Sequence, residues 1–302
     1  MFTIAHFSDV HLSPLPQPRL TELLNKRLFG YLNWQRRRMR HQRGIVDALV
    51  NDLRRHKVDH VAITGDITNI SLPAEFRQAV RWLNTVGAPH DVTVVPGNHD
   101  AYITPVRDPG FWRWETYMSP NDAAKRFLGG GATAQTFPFL RIFGEIALVG
   151  LSTAVPTFPG MATGRVGTAQ LRALEQLLTR LGGVGYARVV LIHHPPLPGM
   201  SSFGRTLNDA EQLQDVLLAR GAELVIYGHK HRFEINKLGV GSAAIPIVGV
   251  TSASSSSETM EKRSRYNLYT INKLPRDRWQ VTLRSRIFDG TGGFTETDHG
   301  VL

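Results

Sequence analysis

The chain has 302 residues, of which 42% are hydrophobic and 20% charged, with 28 Gly and 17 Pro, so disorder, collagen and coiled coil are excluded and one large or two small globular domains can be filled. Cysteine is absent, which excludes disulfides, thiolate zinc, iron–sulfur clusters and cysteine nucleophiles, and leaves His, Asp, Glu, Asn and backbone oxygen to hold any metal. The formal net charge is +10, yet eleven Lys/Arg against three acids between Arg19 and Lys57 supply +8 of it, and the near-neutral remainder argues against nucleic acid as a partner.

In chain order, Thr3 to Phe7 predicts a first strand, and MFTIAHFSDVH lacks the basic and apolar regions of a leader, which predicts a cytoplasmic, non-spanning protein. Ile45 to Arg55, with Ile45, Val46, Leu49 and Leu53 on one face, predicts the crossover helix to a second strand, His60 to Thr64. Residues 14–43 exceed what that crossover needs and form a basic, aromatic insertion or flap. Pro73 precedes a helix over Glu75 to Val86, followed by a strand at Val92 to Val95. Strands at Ile146 to Leu151, Val189 to Ile192 and Leu224 to Tyr227 alternate with helices capped by Thr168 and Asn208, the second ended by Gly221. After Ile245 to Val250, Tyr266 to Ile271 and Trp279 to Ile287 there is little helix, so residues 245–290 are expected to be antiparallel strands completing a second sheet. Gly129 to Gly131 and Ser252 to Ser257 suggest flexible loops. The glycine run lacks the GK[ST] ending of a phosphate-binding loop.

Five short motifs each follow a predicted strand: Asp9-Val10-His11, Gly65-Asp66, Gly97-Asn98-His99-Asp100, His193-His194-Pro195-Pro196 and Gly228-His229-Lys230-His231. In an open α/β sheet all five reach the carboxyl edge, where ligands bind. Taken singly, each is more cheaply explained as a turn or a strand end. Their coincidence in a chain without cysteine, with glycine just before three of them, points instead to a shared metal site. His6, His41, His56, His60, His90 and His299 fit no motif and are assigned structural or surface roles.

The ordered set D-x-H, G-D, G-N-H-D, H and G-H-x-H resembles the motif set of the calcineurin-like metallophosphoesterases, from Asp9 to His231. The HHPPLP form of the fourth motif is most similar to the bacterial branch of cyclic-nucleotide and glycerophosphodiester phosphodiesterases. The resemblance implies a single metallophosphoesterase domain over 1–302, an α/β fold arranged as a four-layer αββα sandwich with mixed sheets. It also implies a two-metal centre, with Asp9, His11 and His231 on one ion, Asn98, His193 and His229 on the other, and Asp66 bridging. His194 is the alternative to His193. The ions would be divalent or trivalent Mn, Fe, Zn or Co.

Physical chemistry gives these residue types a reason. A phosphodiester repels hydroxide, and two cations about 3.5–4 Å apart offset that charge and acidify a bridging water that attacks phosphorus in line. Neutral imidazoles and the Asn98 amide hold cations without cancelling their charge, and a carboxylate is the group able to serve both. His99 is expected to act on the phosphate or leaving group as general acid or donor, and Asp100 either orients it or caps a following helix. The expected substrate is a small phosphate ester, a cyclic nucleotide or glycerophosphodiester. The alternative is a phospholipid or lipid-linked pyrophosphate met at an anionic membrane surface through residues 20–40, with the protein peripheral to the inner membrane face. A nuclease and a metal-free protein-binding scaffold of the same fold are weaker alternatives. A flap whose leucine face packs on the domain, with its arginines solvated, is the plainer reading of residues 14–43.

Overall fold

Along the strands Ile146–Gly150, Ala187–Leu191 and Leu224–Tyr227 successive residues turn to opposite sides: Leu148, Val189 and Ile226 join one apolar cluster, while Val149, Val190 and Val225 join another. That period of two marks strands buried on both faces, as parallel sheets covered by other layers must be. The computed structural model describes residues 1–104, 109–130, 136–241, 244–275 and 278–302. In chain order the elements are β1 (Phe2–Phe7), α1 (Arg27–Arg37), α2 (Arg43–Leu53), β2 (His60–Ile63), α3 (Pro73–Val86), β3 (Val92–Val94), α4 (Asp122–Leu128), β4 (Phe139–Phe143) and β5 (Ile146–Gly150). There follow α5 (Thr168–Gly183), β6 (Ala187–Leu191), α6 (Ala210–Arg220), β7 (Leu224–Tyr227), β8 (Glu234–Leu238), β9 (Ile245–Gly249), β10 (Arg265–Leu274), β11 (Arg278–Phe288) and β12 (Phe294–Val301).

Two six-stranded mixed sheets face each other, ordered β12-β11-β10-β1-β2-β3 and β4-β5-β6-β7-β9-β8. Ile4, Phe7, Ile63 and Val94 of the first and Leu148, Val189, Leu191 and Ile226 of the second meet in one core, which extends to Leu49, Phe76 and Trp82 of α2 and α3. Leu174, Leu178, Leu213 and Leu217 of α5 and α6 cover the outer face of the second sheet. The αββα sandwich is therefore present. Arg141, 3% exposed on β4, extends its guanidinium to the carbonyls of Pro89, Val92, Thr116 and Ser119, tying β4 to the end of the other sheet.

Several expectations need correcting. Residues 245–290 do not complete one antiparallel sheet: β9 runs parallel to β7 in the second sheet, whereas β10 and β11 pair antiparallel beside β1 in the first. β4, β8 and β12 were not foreseen. The serine stretch is not a loose loop at its start, because Ser252, Ala253 and Ser254 are fully buried and Ala253 N donates to Ser8 O at 2.9 Å. Gly129 is the left-handed cap of α4, and Gly131 lies outside the described residues.

The insertion packs the opposite way to the plainer expectation. Arg27 is buried, donating from Nε to Ile70 O at 3.0 Å and from Nη2 to Ser71 O. Tyr31 and Trp34, one and two turns on, stack on each other beside Leu15, Ile70, Leu72 and Tyr102. The leucines point away: Leu20, Leu24 and Phe29 are 84%, 82% and 61% exposed, and Leu28, Leu32 and Met39 are exposed with them.

Candidate metal centre

Each of the five motifs leaves the carboxyl end of a parallel strand. β1, β2 and β3 deliver Asp9 and His11, Asp66, and Asn98 to Asp100; β6 and β7 deliver His193 and His194, and His229 and His231. The edges of the two sheets are drawn together by hydrogen bonds: His193 Nδ1 donates to Thr64 O at 2.6 Å, and His229 N donates to Asp9 Oδ2 at 3.0 Å. Such close approach requires glycine. A Cβ on Gly97 would collide with the Asp66 carboxylate, and one on Gly228 with Ser8 Oγ and Asp9 Oδ2.

All seven sequence-predicted ligands converge, in two groups. Asp9 Oδ1 lies 3.1 Å from His231 Nε2, which is 3.3 Å from His11 Nε2. Asn98 Oδ1 lies 3.1 Å from His193 Nε2 and 2.9 Å from His229 Nδ1. Asp66 Oδ2 stands between the groups, 3.3 Å from His193 Nε2 and 4.0 Å from His11 Nε2.

Three observations fit this set to cations. The Nδ1–H groups of His11 and His193 donate to the carbonyls of Thr68 and Thr64, which leaves each Nε2 as the nitrogen that faces its neighbours and can hold a cation once it carries no proton. Ring nitrogens approach each other at 3.3 Å in both groups, where two lone pairs need a cation or a proton between them. Finally, six non-glycine residues among those described have positive φ, and five are Asp9, His11, Asp66, His229 and His231, with φ from 42° to 67°. Backbone strain of about 1–3 kcal/mol at each persists only where the surroundings over-determine it, and it concentrates at functional sites.

Charge follows the same division. Burial would raise the Asp66 carboxyl, but the adjoining His193 and His99 hold it well below the usual carboxylate range. Burial would raise Asp9 as well, but His231 in contact with it and His193 nearby together lower it to about 2. Burial opposes a proton on His193, yet Asp66 beside it raises that imidazole to about 9. His11 and His229 are driven well below 6.5 by burial and by neighbouring imidazoles, and so are neutral donors.

His194 does not compete with His193, since its Nδ1 meets Thr153 Oγ1 at 2.7 Å and its Nε2 donates to Ala162 O at 3.1 Å. His99 adjoins the centre, its ring 4.9 Å from that of His11, with Nδ1 donating to Asn69 O. Asp100 neither orients His99 nor caps a helix. It accepts from Ile67 N, Thr68 N and Gly97 N at 2.9–3.1 Å and so locks the β2 and β3 loops together. Sequence reasoning missed Glu75, whose buried carboxylate accepts from Asn69 N, Ile70 N and Leu72 N at 2.6–3.1 Å and shapes the loop beyond Asp66. A Glu at the third position of a helix opened by Pro73 was its signal, since its carboxylate can turn back to the backbone N–H of the residue before the helix, Leu72. Sequence reasoning also missed His41, whose ring lies 4.6 Å from that of His11 and 5.6 Å from that of His231.

Residues 2–233 match the family model of the calcineurin-like phosphoesterases. Among solved structures, purple acid phosphatase from yellow lupin (Lupinus luteus) seeds superposes with a TM-score of 0.60 at 13% identity, covering 98% of this chain and 52% of the other, so the chain spans about half the length of that neighbour. A dimetal phosphatase from Danio rerio superposes with a TM-score of 0.56 at 15% identity, covering 99% of both chains. Comparison with curated protein sequences returns no significant match.

Proposed function

Because the chain belongs to the calcineurin-like phosphoesterase family, we propose that it is a two-metal phosphohydrolase whose substrate is a phosphodiester. The observation that carries this reading is the place of Asp66 Oδ2 between two groups of converging donors. Asp9, His11 and His231 would hold one ion, Asn98, His193 and His229 the other, and Asp66 both. When bound, the ions supply charge neutralisation for the phosphoryl group and acidify water. The residues do the rest. Asn98 contributes a neutral oxygen, so its site keeps more positive charge than a carboxylate would leave. His99, oriented by Asn69 O, keeps Nε2 for the proton that passes to the departing oxygen as the P–O bond breaks.

A second reading concerns the substrate's other half. The exposed Leu20, Leu24, Leu28, Phe29 and Leu32, beside Arg36 to Arg40, suit the interfacial edge of an anionic membrane, and so a phosphate ester or pyrophosphate carried on a lipid by a cytoplasmic, peripherally bound enzyme. No helix among the described residues is long and apolar enough to cross a membrane. Lys26, lowered to about 8 by burial, lies 4.3 Å over the Tyr102 ring, which stacks on His99, and so brings a cation from the insertion toward the site.

The test is metal-reconstituted protein assayed against a model diester, a model monoester, cyclic AMP and a glycerophospholipid, alongside Asn98→Ala. Diester turnover that falls by about 100-fold or more in the variant is the expected result. Turnover confined to the lipid would replace the first reading by the second, and activity indifferent to Asn98 would overturn both.

A further inference from the structure

We propose that His41 is a further ligand of the cation held by Asp9, His11 and His231, supplied by the basic insertion rather than by a strand end. The inference rests on the two-cation reading above and adds a residue that lies outside the five motifs. One ring nitrogen each of His11, His41 and His231 lies within 4.8 Å of the others. The backbone around His41 is clamped from three directions: Ser13 Oγ donates to His41 O at 3.0 Å, Gln42 N donates to Ser254 O at 2.9 Å, and His41 forms a β-bridge with Ser255.

Hydrogen-bond direction then fixes which nitrogen is free. Asp9 O is a carbonyl and only accepts, so Ser252 Oγ, 2.7 Å away, must donate to it. Having spent its one hydrogen, Ser252 Oγ can only accept from Ser254 Oγ at 3.2 Å. Ser254 Oγ in turn accepts from His41 Nδ1 at 2.8 Å. The chain His41, Ser254, Ser252, Asp9 is thus satisfied at every link when the proton sits on Nδ1, which leaves the His41 Nε2 lone pair with no hydrogen-bond partner among the described residues. An imidazole whose Nδ1–H is fixed by a hydroxyl is the arrangement metal-binding histidines use. The same chain ends on the backbone of Asp9, itself in the cluster, so the two ligands are positioned together. The serine run after β9 and the end of the insertion therefore act as one support.

Calorimetric titration of metal-stripped full-length protein with Mn²⁺ tests this, with Co²⁺ absorption as a second readout. Wild type is expected to bind two ions. His41→Ala should weaken one of the two binding events by about 10–100-fold, leave the other unchanged and alter the Co²⁺ visible band, with added imidazole restoring affinity. Ser254→Ala should shift the same event in the same direction by a smaller factor. Two unchanged events in folded His41→Ala overturn the His41 assignment alone, and so does intact metal binding with only a raised KM, which would make His41 a substrate contact. Wild type binding fewer than two ions overturns the two-cation reading instead. Should His41→Ala fail to fold, His41→Gln and Ser254→Ala carry the test, and unchanged affinity in both overturns the assignment.

Discussion

In the proposed mechanism His99 moves a proton and does not hold metal. It sits against His11, yet its Nδ1 is committed to Asn69 O and its backbone N–H donates to Asp66 Oδ1 at 2.7 Å. His99→Gln is expected to lower kcat by about 10²–10⁴-fold. Metal content, read by elemental analysis of the same preparation, should not change, and loss of an ion would make His99 a ligand. At this scale the sequence was informative wherever a residue's role followed from its own strand end. Asp66, Asn98 and His229 directly follow the glycines that let the edges meet, and Asp9 stands in the short Asp9-Val10-His11 motif at the end of β1. His41 was illegible because its partners, Ser252 and Ser254, lie more than two hundred residues away in a stretch that composition alone describes as loop. Choosing between His193 and His194 likewise required the distant acceptors Thr64 and Ala162.

Among the elements, α1 has two apolar faces, and the sequence does not say which is buried. Arg27, Tyr31 and Trp34 win the core because Arg27 satisfies two carbonyls of the Ile70–Ser71 turn and the rings fill the space over Leu72. Leu28 and Phe29 are left outward beside the arginines. Leu28→Glu with Phe29→Glu should therefore change stability by no more than about 0.5 kcal/mol and leave turnover of a soluble diester intact. Co-sedimentation with phosphatidylglycerol vesicles at low salt should be abolished; retained sedimentation would remove the lipid-surface reading. Arg27→Ala should act differently, lowering the thermal midpoint, because two buried carbonyls lose their donor. β8 and β12 escaped prediction for a related reason. β8 (EINKL) and β12 (FTETDHGV) end their sheets, and their mostly polar, part-exposed residues resemble loop composition until a neighbouring strand is present.

For the molecule as a whole, the proposed ligand set carries strain that bound metal would offset. Five of its residues with positive φ, at about 1–3 kcal/mol each, are comparable with the entire net stability of an ordinary domain, about 5–15 kcal/mol. Each ion at 100 times its Kd returns about 2.7 kcal/mol, so chelation should lower Tm by on the order of 10 °C. Metal-free protein should also be most stable near pH 6.5. His193 is raised to about 9, so its pairing with Asp66 is fully present below 6.5 and is lost as pH rises through 9. His6 and His60 are lowered to about 3 by burial, so their contribution is present above 6.5 and is lost as pH falls toward 3. Melts of metal-free protein across this range should show both limbs, and metal should abolish the alkaline one, because His193 is already deprotonated when it binds an ion.

The sandwich was legible because buried parallel strands announce themselves as apolar runs that end in glycine and polar residues. The partition of the C-terminal strands between two sheets was not, since pairing partners are set by packing and not by local pattern. What all of this depends on is best tested by anomalous diffraction from crystals grown with Mn²⁺. Two peaks about 3.5–4 Å apart are predicted, both touching Asp66, one enclosed by Asp9, His11 and His231 and the other by Asn98, His193 and His229. A single peak, or ions bound away from Asp66, would contradict the account.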